Sequence, residues 1–333
     1  MNTESHAALG FGFAFQDLYQ RTGLLRLDSA FLDYLHECSP DLHARLLEGR
    51  KDPKALAAKA LSTLLIDLAP HLEDFLGRLF GIETELRALQ ARHSELAPLR
   101  TVKRKFVQRK LAGKTLEHAR AIDVAAVVAE LEAFFLAPLT EQNYCEHVAR
   151  WMDAEAEHAA ELQLAADYAV WAVLTPEGRE KHHDGVVFKL PHKLDFENLV
   201  PHAQVVLDGV VQFLAPGGRT RSRDGFHLTD PGTDLAGALD QAGYCIKCHN
   251  QGKDSCSTGL REKTGEFKRS VFGVPLAGCP LGEKISEMNH LKGEGNPIGA
   301  LAVVTVDNPM AAGTGHRICN DCMKSCIYQK QEP

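Results

Sequence analysis

Tyr244-Cys245-Ile246-Lys247-Cys248 opens, and Cys319-Asn320-Asp321-Cys322-Met323-Lys324-Ser325-Cys326 closes, the stretch on which the reading of this chain turns. Cys256 and Cys279 lie between them, so this stretch holds seven of the nine cysteines; only Cys38 and Cys145 lie elsewhere. Such clustering suits metal or cluster ligation, because a site must draw several soft thiolates to one point. A two-residue gap lets two sulfurs reach one centre from a single turn. Three chemistries remain open on the residues alone: two iron–sulfur clusters, one or two zinc sites, or a redox dithiol. Structural zinc favours two Cys-x2-Cys pairs. Here the second pair is followed by a third cysteine, and Cys279 is followed by Pro280, both features of cluster-binding loops. Lys247, Lys253, Arg317, Lys324 and Lys330 would offset the negative charge of thiolates and sulfides.

Working outward, 333 residues suggest about two domains, and 44% hydrophobic residues suffice for a core. A net charge of -7 argues against a general polyanion binder. No apolar run approaches the roughly 20 residues of a membrane span. Residues 1–10 lack the basic and apolar regions of a signal peptide. A cytoplasmic location follows as the expectation, and with it reduced thiols rather than disulfides.

Residues 1–180 are expected to form a helical region of unassigned role. Phe31, Leu32, Leu35 and Leu42 recur at helical spacing, as do Leu61, Leu64, Leu65, Leu68, Leu72, Phe75, Leu76 and Leu79. Asp52-Pro53 reads as a helix start. Helices are also expected over 123–136 and 142–174. Arg100, Lys103, Arg104, Lys105, Arg109 and Lys110 read as a solvated basic face. Glu155-x-x-His158 and Glu287-x-x-His290 match the spacing of di-iron bundles, without the two further glutamates such a site needs. Residues 181–235 read as short strands and linker, with strands at 186–188 and 205–213. Asp208-Gly209 is a hairpin signal. His182, His183, His192 and His202 read as exposed polar loop, and Cys38 and Cys145 as buried free thiols.

From Gln241 to Pro333 the chain resembles the N-terminal two-cluster domain of the glutamate synthase small subunit and dihydropyrimidine dehydrogenase. The matching residues are 242–248, Cys256, Cys279-Pro280-Leu281, then Ile285, Met288, Asn289 and Leu291, then Gly299-Ala300 and Asp307-Asn308-Pro309. The resemblance implies a mainly α fold whose residues 236–333 form a helical, α-helical-ferredoxin-like domain with two [4Fe-4S] clusters. By position, Cys245, Cys248, Cys256 and Cys326 would share one cluster. Cys279, Cys319 and Cys322 would share the other. Grouping by sequence order, with Cys279 on the first cluster, stays open.

The chain departs from that pattern in a longer Cys248–Cys256 gap, an insertion at 257–278 and a tighter Cys319–Cys322 gap. The second set is one ligand short. A residue beyond Pro333 is the expected fourth, with His316 and His249 next and Gln329 and Gln331 too close in sequence. The implied function is electron transfer within an NAD(P)H/FAD-linked oxidoreductase. No Gly-x-Gly-x-x-Gly occurs, so FAD and NAD(P)H are expected on a downstream domain or partner. A zinc-stabilised interaction protein is the alternative.

Overall fold

The computed structural model describes residues 8–190, 194–200, 202–215, 225–226, 232–315 and 319–327. The architecture is mainly helical with one small antiparallel hairpin. The helices, in chain order, are α1 (Arg21–Cys38), α2 (Pro40–Lys51), α3 (Ala58–Phe80), α4 (Glu83–Val102), α5 (Gln108–Lys110), α6 (Leu116–Arg120), α7 (Val124–Phe135) and α8 (Glu141–Asp153). Then come α9 (Ala159–Leu174), α10 (Pro176–Lys181), α11 (Leu235–Tyr244), α12 (Ser255–Thr258), α13 (Ile285–Gly293), α14 (Pro297–Asp307), α15 (Ala311–Thr314) and α16 (Asp321–Lys324). None of them is long and apolar enough to cross a membrane.

The apolar spacing in α1 to α3 does what it predicts. Leu35, Leu42 and Leu64 bury against one another, and Phe75 stacks on Phe11 and meets Phe31 edge-on. Asp52-Pro53 starts only a single 3-10 turn, because Asp52 accepts from Lys54 N two residues on. The long helix begins later, at Ala58. The main core gathers α4 and α6 to α9, with Val102, Leu131, Tyr144, Val148 and Tyr168 fully or almost fully buried. Burial of each such side chain contributes roughly 1.5–3 kcal/mol. The Tyr144 hydroxyl is satisfied there by Ala165 O at 2.8 Å.

Four sequence expectations change here. The helix expected over 142–174 is two helices parted by a turn at 154–158. Glu155 lies in that turn, so it does not share a helix face with His158, and the first di-iron spacing dissolves. Val186-Val187-Phe188 is no strand. Its amides are met by a carboxylate instead of a neighbouring strand: Val186 N and Val187 N donate to Glu141 at 2.9 and 3.2 Å, with Val187 and Phe188 in the core. His182 is buried, not exposed, with Nε2 2.9 Å from the Tyr168 hydroxyl. Cys38 is exposed at the end of α1, whereas Cys145 is buried as expected. His192 falls outside the described residues.

The hairpin signal holds. β1 (Ala203–Leu207) pairs with β2 (Val210–Leu214), and Asp208 and Gly209 both take positive φ, the geometry of the tight primed turn. Every residue of both strands is exposed.

The cysteine-rich third does not stand apart from the helices before it. Ala69 of α3 shares a small core with Leu291, Ala300 and Val303 of α13 and α14. At Gly299 a Cβ would sit 3.0 Å from Ala69, so glycine permits this helix contact. Buried Glu73 accepts from Gly299 N at 2.8 Å in the first turn of α14, where negative charge is favoured. Its other oxygen accepts from Gln90 at 2.7 Å.

Candidate cluster site

Five of the seven sequence-predicted cysteines line one cavity, and Cys279 and Cys319 lie outside its lining. Cys245, Cys248, Cys256 and Cys326, drawn from both ends of the cysteine-rich stretch, line one cavity of about 280 Å³ with Cys322 beside them. That volume is on the order of twenty times what one water molecule requires. Tyr244, Ile246, Ile285, Met323 and Ile327 supply its apolar walls.

Local structure aims these thiols. α11 ends at Tyr244, and Lys247 adopts a left-handed conformation, φ +58°, that turns the chain sharply. Its amide therefore faces back and donates to Cys245 Sγ at 3.3 Å. Ser286 Oγ, from α13, lies 3.8 Å from the same sulfur and 2.7 Å from His249 Nδ1.

The insertion at 257–278 folds back on itself. Leu260 N donates to Leu276 O, Lys268 N to Leu260 O and Leu276 N to Lys268 O, each at 2.8–2.9 Å. At Gly259 and Gly278 the two arms touch backbone to backbone, leaving no room for a Cβ. Cys279 thereby returns beside Cys256, and its amide donates to the Cys256 carbonyl at 2.8 Å. Ser325 Oγ pins this turn by accepting from Gly278 N at 2.8 Å.

The electrostatics are those of crowded thiols. The Cys256 thiol is pushed well above its ordinary range, first by its hydrogen bond to Cys326 and then by burial. Burial raises Cys248, with Asp254 and Cys245 adding to it and the Ser255 amide easing it. Cys322 is raised by burial, and Cys279 and Cys319 are close enough to raise it further. Cys322 lines the first cavity, while Cys279 and Cys319 do not. Asp254, buried at the cavity wall, is raised to about 6 by burial and by the nearby Glu287. The Ser257 and Cys256 amides ease that shift in part. Among the described residues, Asp254, Ser255 Oγ and Glu287 Oε2 are buried without a hydrogen-bond partner, and the first two line the cavity.

A bound metal centre fits this donor set. It replaces thiol protons with a cationic core and removes the mutual repulsion. No three or more described His, Cys, Asp or Glu residues are drawn tightly enough to hold one metal ion. A four-iron cluster asks something different, one thiolate for each of four separate irons.

Other candidates resolve differently. Glu287 and His290 do share α13, but they do not act together: Ser62 of α3 donates to Glu287, while His290 Nδ1 lies 2.7 Å from Lys247 Nζ. His249 is buried against Ser286 and His290. His316, Arg317, Gln329, Lys330 and Gln331 lie outside the described residues.

The basic run is solvated in part: Arg104, Lys105, Arg109 and Lys110 are exposed, as expected, while Lys103 is buried and Arg100 half-buried, and the run also makes a contact with the cysteine region. Arg100 Nη1 donates to Gly293 O at 3.2 Å, and Arg104 Nη1 donates to Gly243 O at 2.6 Å. Lys103, itself buried, meets both oxygens of Asp240 at 2.8 Å and stands 5.2 Å from the Tyr244 ring centre. A π-helical turn over Lys103–Val107 sets their direction. The only sequence signal for this was the density of cations in an acidic chain.

Comparison with known proteins overturns the resemblance to glutamate synthase and dihydropyrimidine dehydrogenase. The model of a family described as RP005 N-terminal alpha-helical domain matches residues 9–81. The uncharacterized protein RP005 of Rickettsia prowazekii (strain Madrid E) is 32% identical over 302 residues, covering 86% of this chain and 98% of that protein. Uncharacterized protein RP006 of the same organism is 79% identical over 24 residues, 7% of this chain and 3% of that protein. No solved structure matches. These matches show no iron–sulfur or oxidoreductase family. The short spacings that suggested one are requirements of thiolate ligation and carry no ancestry by themselves. The chain belongs to the RP005 family.

Proposed function

We propose that this protein is an electron carrier whose C-terminal third is a small helical domain holding two [4Fe-4S] clusters. One observation carries the reading: Cys245, Cys248, Cys256 and Cys326, remote in sequence, line a single cavity sized for more than one ion. The amide donated to Cys245 and the unpartnered groups of Asp254 and Ser255 at the wall support it.

In this reading Cys245, Cys248, Cys256 and Cys326 hold the first cluster, and Cys279, Cys319 and Cys322 hold the second. The clusters supply one-electron chemistry when bound. The chain's own side chains exclude water from one wall of the cavity through Tyr244, Ile246 and Ile285, and the Lys247 backbone amide donates to the Cys245 sulfur. Two one-electron carriers need a redox partner. A flavoprotein suits that role, because a flavin divides the electron pair of NAD(P)H into single steps.

The test is anaerobic purification after iron-replete expression. About eight irons and eight sulfides per chain, with a brown visible band that bleaches on reduction, are expected. The second set is a ligand short, so its iron should be lost first. Stoichiometric zinc with no iron would overturn the reading and favour a zinc-stabilised interaction protein.

A further inference from the structure

We infer that Arg100, Lys103 and Arg104 form a cationic clamp that positions the Cys245 loop and biases its cluster toward the reduced state. The inference rests on the electron-carrier reading above and assigns a role to the helices that precede the cysteines.

The geometry is specific. Helix α11 delivers Cys245, and its last carbonyls are where helix dipoles concentrate negative charge. Arg104 caps Gly243 O, two residues before Cys245, at 2.6 Å. Lys103 fixes the same helix one turn earlier through Asp240. Arg100 reaches the C-terminal end of α13, capping Gly293 O at 3.2 Å. That helix carries Ser286, which touches Cys245 Sγ. So the two helices bordering the cavity are tied to one turn of α4 and its π-helical extension. The fit is close: a Cβ at Gly243 would lie 2.8 Å from Arg100 Cδ.

The charges have a consequence beyond fastening. Lys103 is neutralised by Asp240, whereas Arg100 and Arg104 bond to uncharged carbonyls and keep their full positive charge. A cluster gains negative charge on reduction, so nearby cations favour its reduced form and raise its potential. Arg104 is partly screened by solvent, which moderates the effect without changing its sign.

The test measures iron content and the midpoint potential of each cluster by EPR-monitored titration of the full chain. Arg104→Gln and Arg100→Gln should lower the potential of one cluster and leave the other unchanged. Iron should also leave that cluster faster under a chelator. Arg104→Lys, which keeps the charge, should hold the wild-type potential. Unshifted potentials in loaded Arg104→Gln and Arg100→Gln overturn the clamp, whether or not iron loss accelerates. If one glutamine variant does not load, the other decides. Wild-type protein that takes up no iron overturns the electron-carrier reading, and the clamp with it. Normal loading with unshifted variants overturns the clamp alone.

Discussion

Two regions of this molecule are held together by different physics. The core of α4 and α6 to α9 is broad and apolar; Tyr144 is satisfied there by Ala165 O, while His93 Nε2 on α4 is buried without a partner. The cysteine-rich third has a much smaller apolar core and borrows Ala69 from α3 to make it. What it has instead are polar ties: Ser62 to Glu287, Glu73 to Gly299, and the basic trio to α11 and α13. Crowded thiols and buried unpartnered oxygens remain at its centre. The first region is complete as a polypeptide. On the electron-carrier reading proposed above, the second would share its stability with the clusters it binds.

The largest expected effect breaks this contrast directly. Stripping the metal with a chelator should cost residues 245–327 about 100-fold or more in amide-exchange protection, as binding energy is folding energy in such sites. The amides of α8 and α9 should keep theirs. Equal loss in both regions would mean that they unfold as one unit.

Leu131→Ala tests the other side. Leu131 is completely buried, and its truncation should cost about 2–5 kcal/mol. Denaturant melts followed by Trp fluorescence would read this, because both tryptophans, Trp151 and Trp171, lie in or against this core. Iron content should not change; a parallel fall in iron would tie the cysteine site to this core more tightly than the contacts suggest.

A smaller effect sharpens the comparison through pH. Burial holds the His182 imidazole down to about 4 from an ordinary 6.5, with Lys181 adding to the shift. The folded state therefore refuses a proton that the unfolded chain accepts. His182 thus lowers stability as pH falls from about 6.5 to about 4, and its contribution is constant below that, by on the order of 1–2 kcal/mol in all. Glu141, whose carboxyl is raised by burial, works in the opposite sense above its own ordinary range. Tyr168 is the other polar group on the ring. His182→Phe should flatten the slope of stability against pH in that interval, in melts of the helical core; an unchanged slope would place the imidazole in water.

The smallest effect is a null one. Cys38→Ala and Cys145→Ala should leave iron content unchanged. Cys38 should react with a thiol reagent at once, and Cys145 only after unfolding, since one is exposed and the other buried. Loss of iron in either variant would bring a remote thiol into the site.

Much of the site was legible because thiolate chemistry is local in its demands. Short gaps, Cys-Pro and flanking lysines pointed to seven cysteines, of which Cys245, Cys248, Cys256, Cys322 and Cys326 share a cavity while Cys279 and Cys319 do not line it. The insertion looked like a disruption, since nothing in 257–278 announces that Gly259 and Gly278 let its arms close. The helices were legible from period. The break at 154–158 was not, because Glu155, Ala156, Glu157 and His158 are all compatible with helix. Val186 to Phe188 had strand composition, but their partner was a carboxylate, and periodicity cannot name a partner. Within the basic run, Lys103 was misread for the same reason. Lys103 is buried only because Asp240 meets it, and that pairing spans 137 positions of chain.

The clamp has an implication for the order of events during synthesis. Ser62, Glu73, Arg100, Lys103 and Arg104 all leave the ribosome before the first cysteine of the site. Chains fold progressively from the N-terminus. The surface that receives α11, α13 and α14 can therefore be finished while the ligands are still being made. Cys326 follows Cys245 by 81 positions, so the first cavity stays open on one side while those residues are made. On the electron-carrier reading, an apparatus that delivers iron and sulfide would meet a template already standing and a door not yet shut.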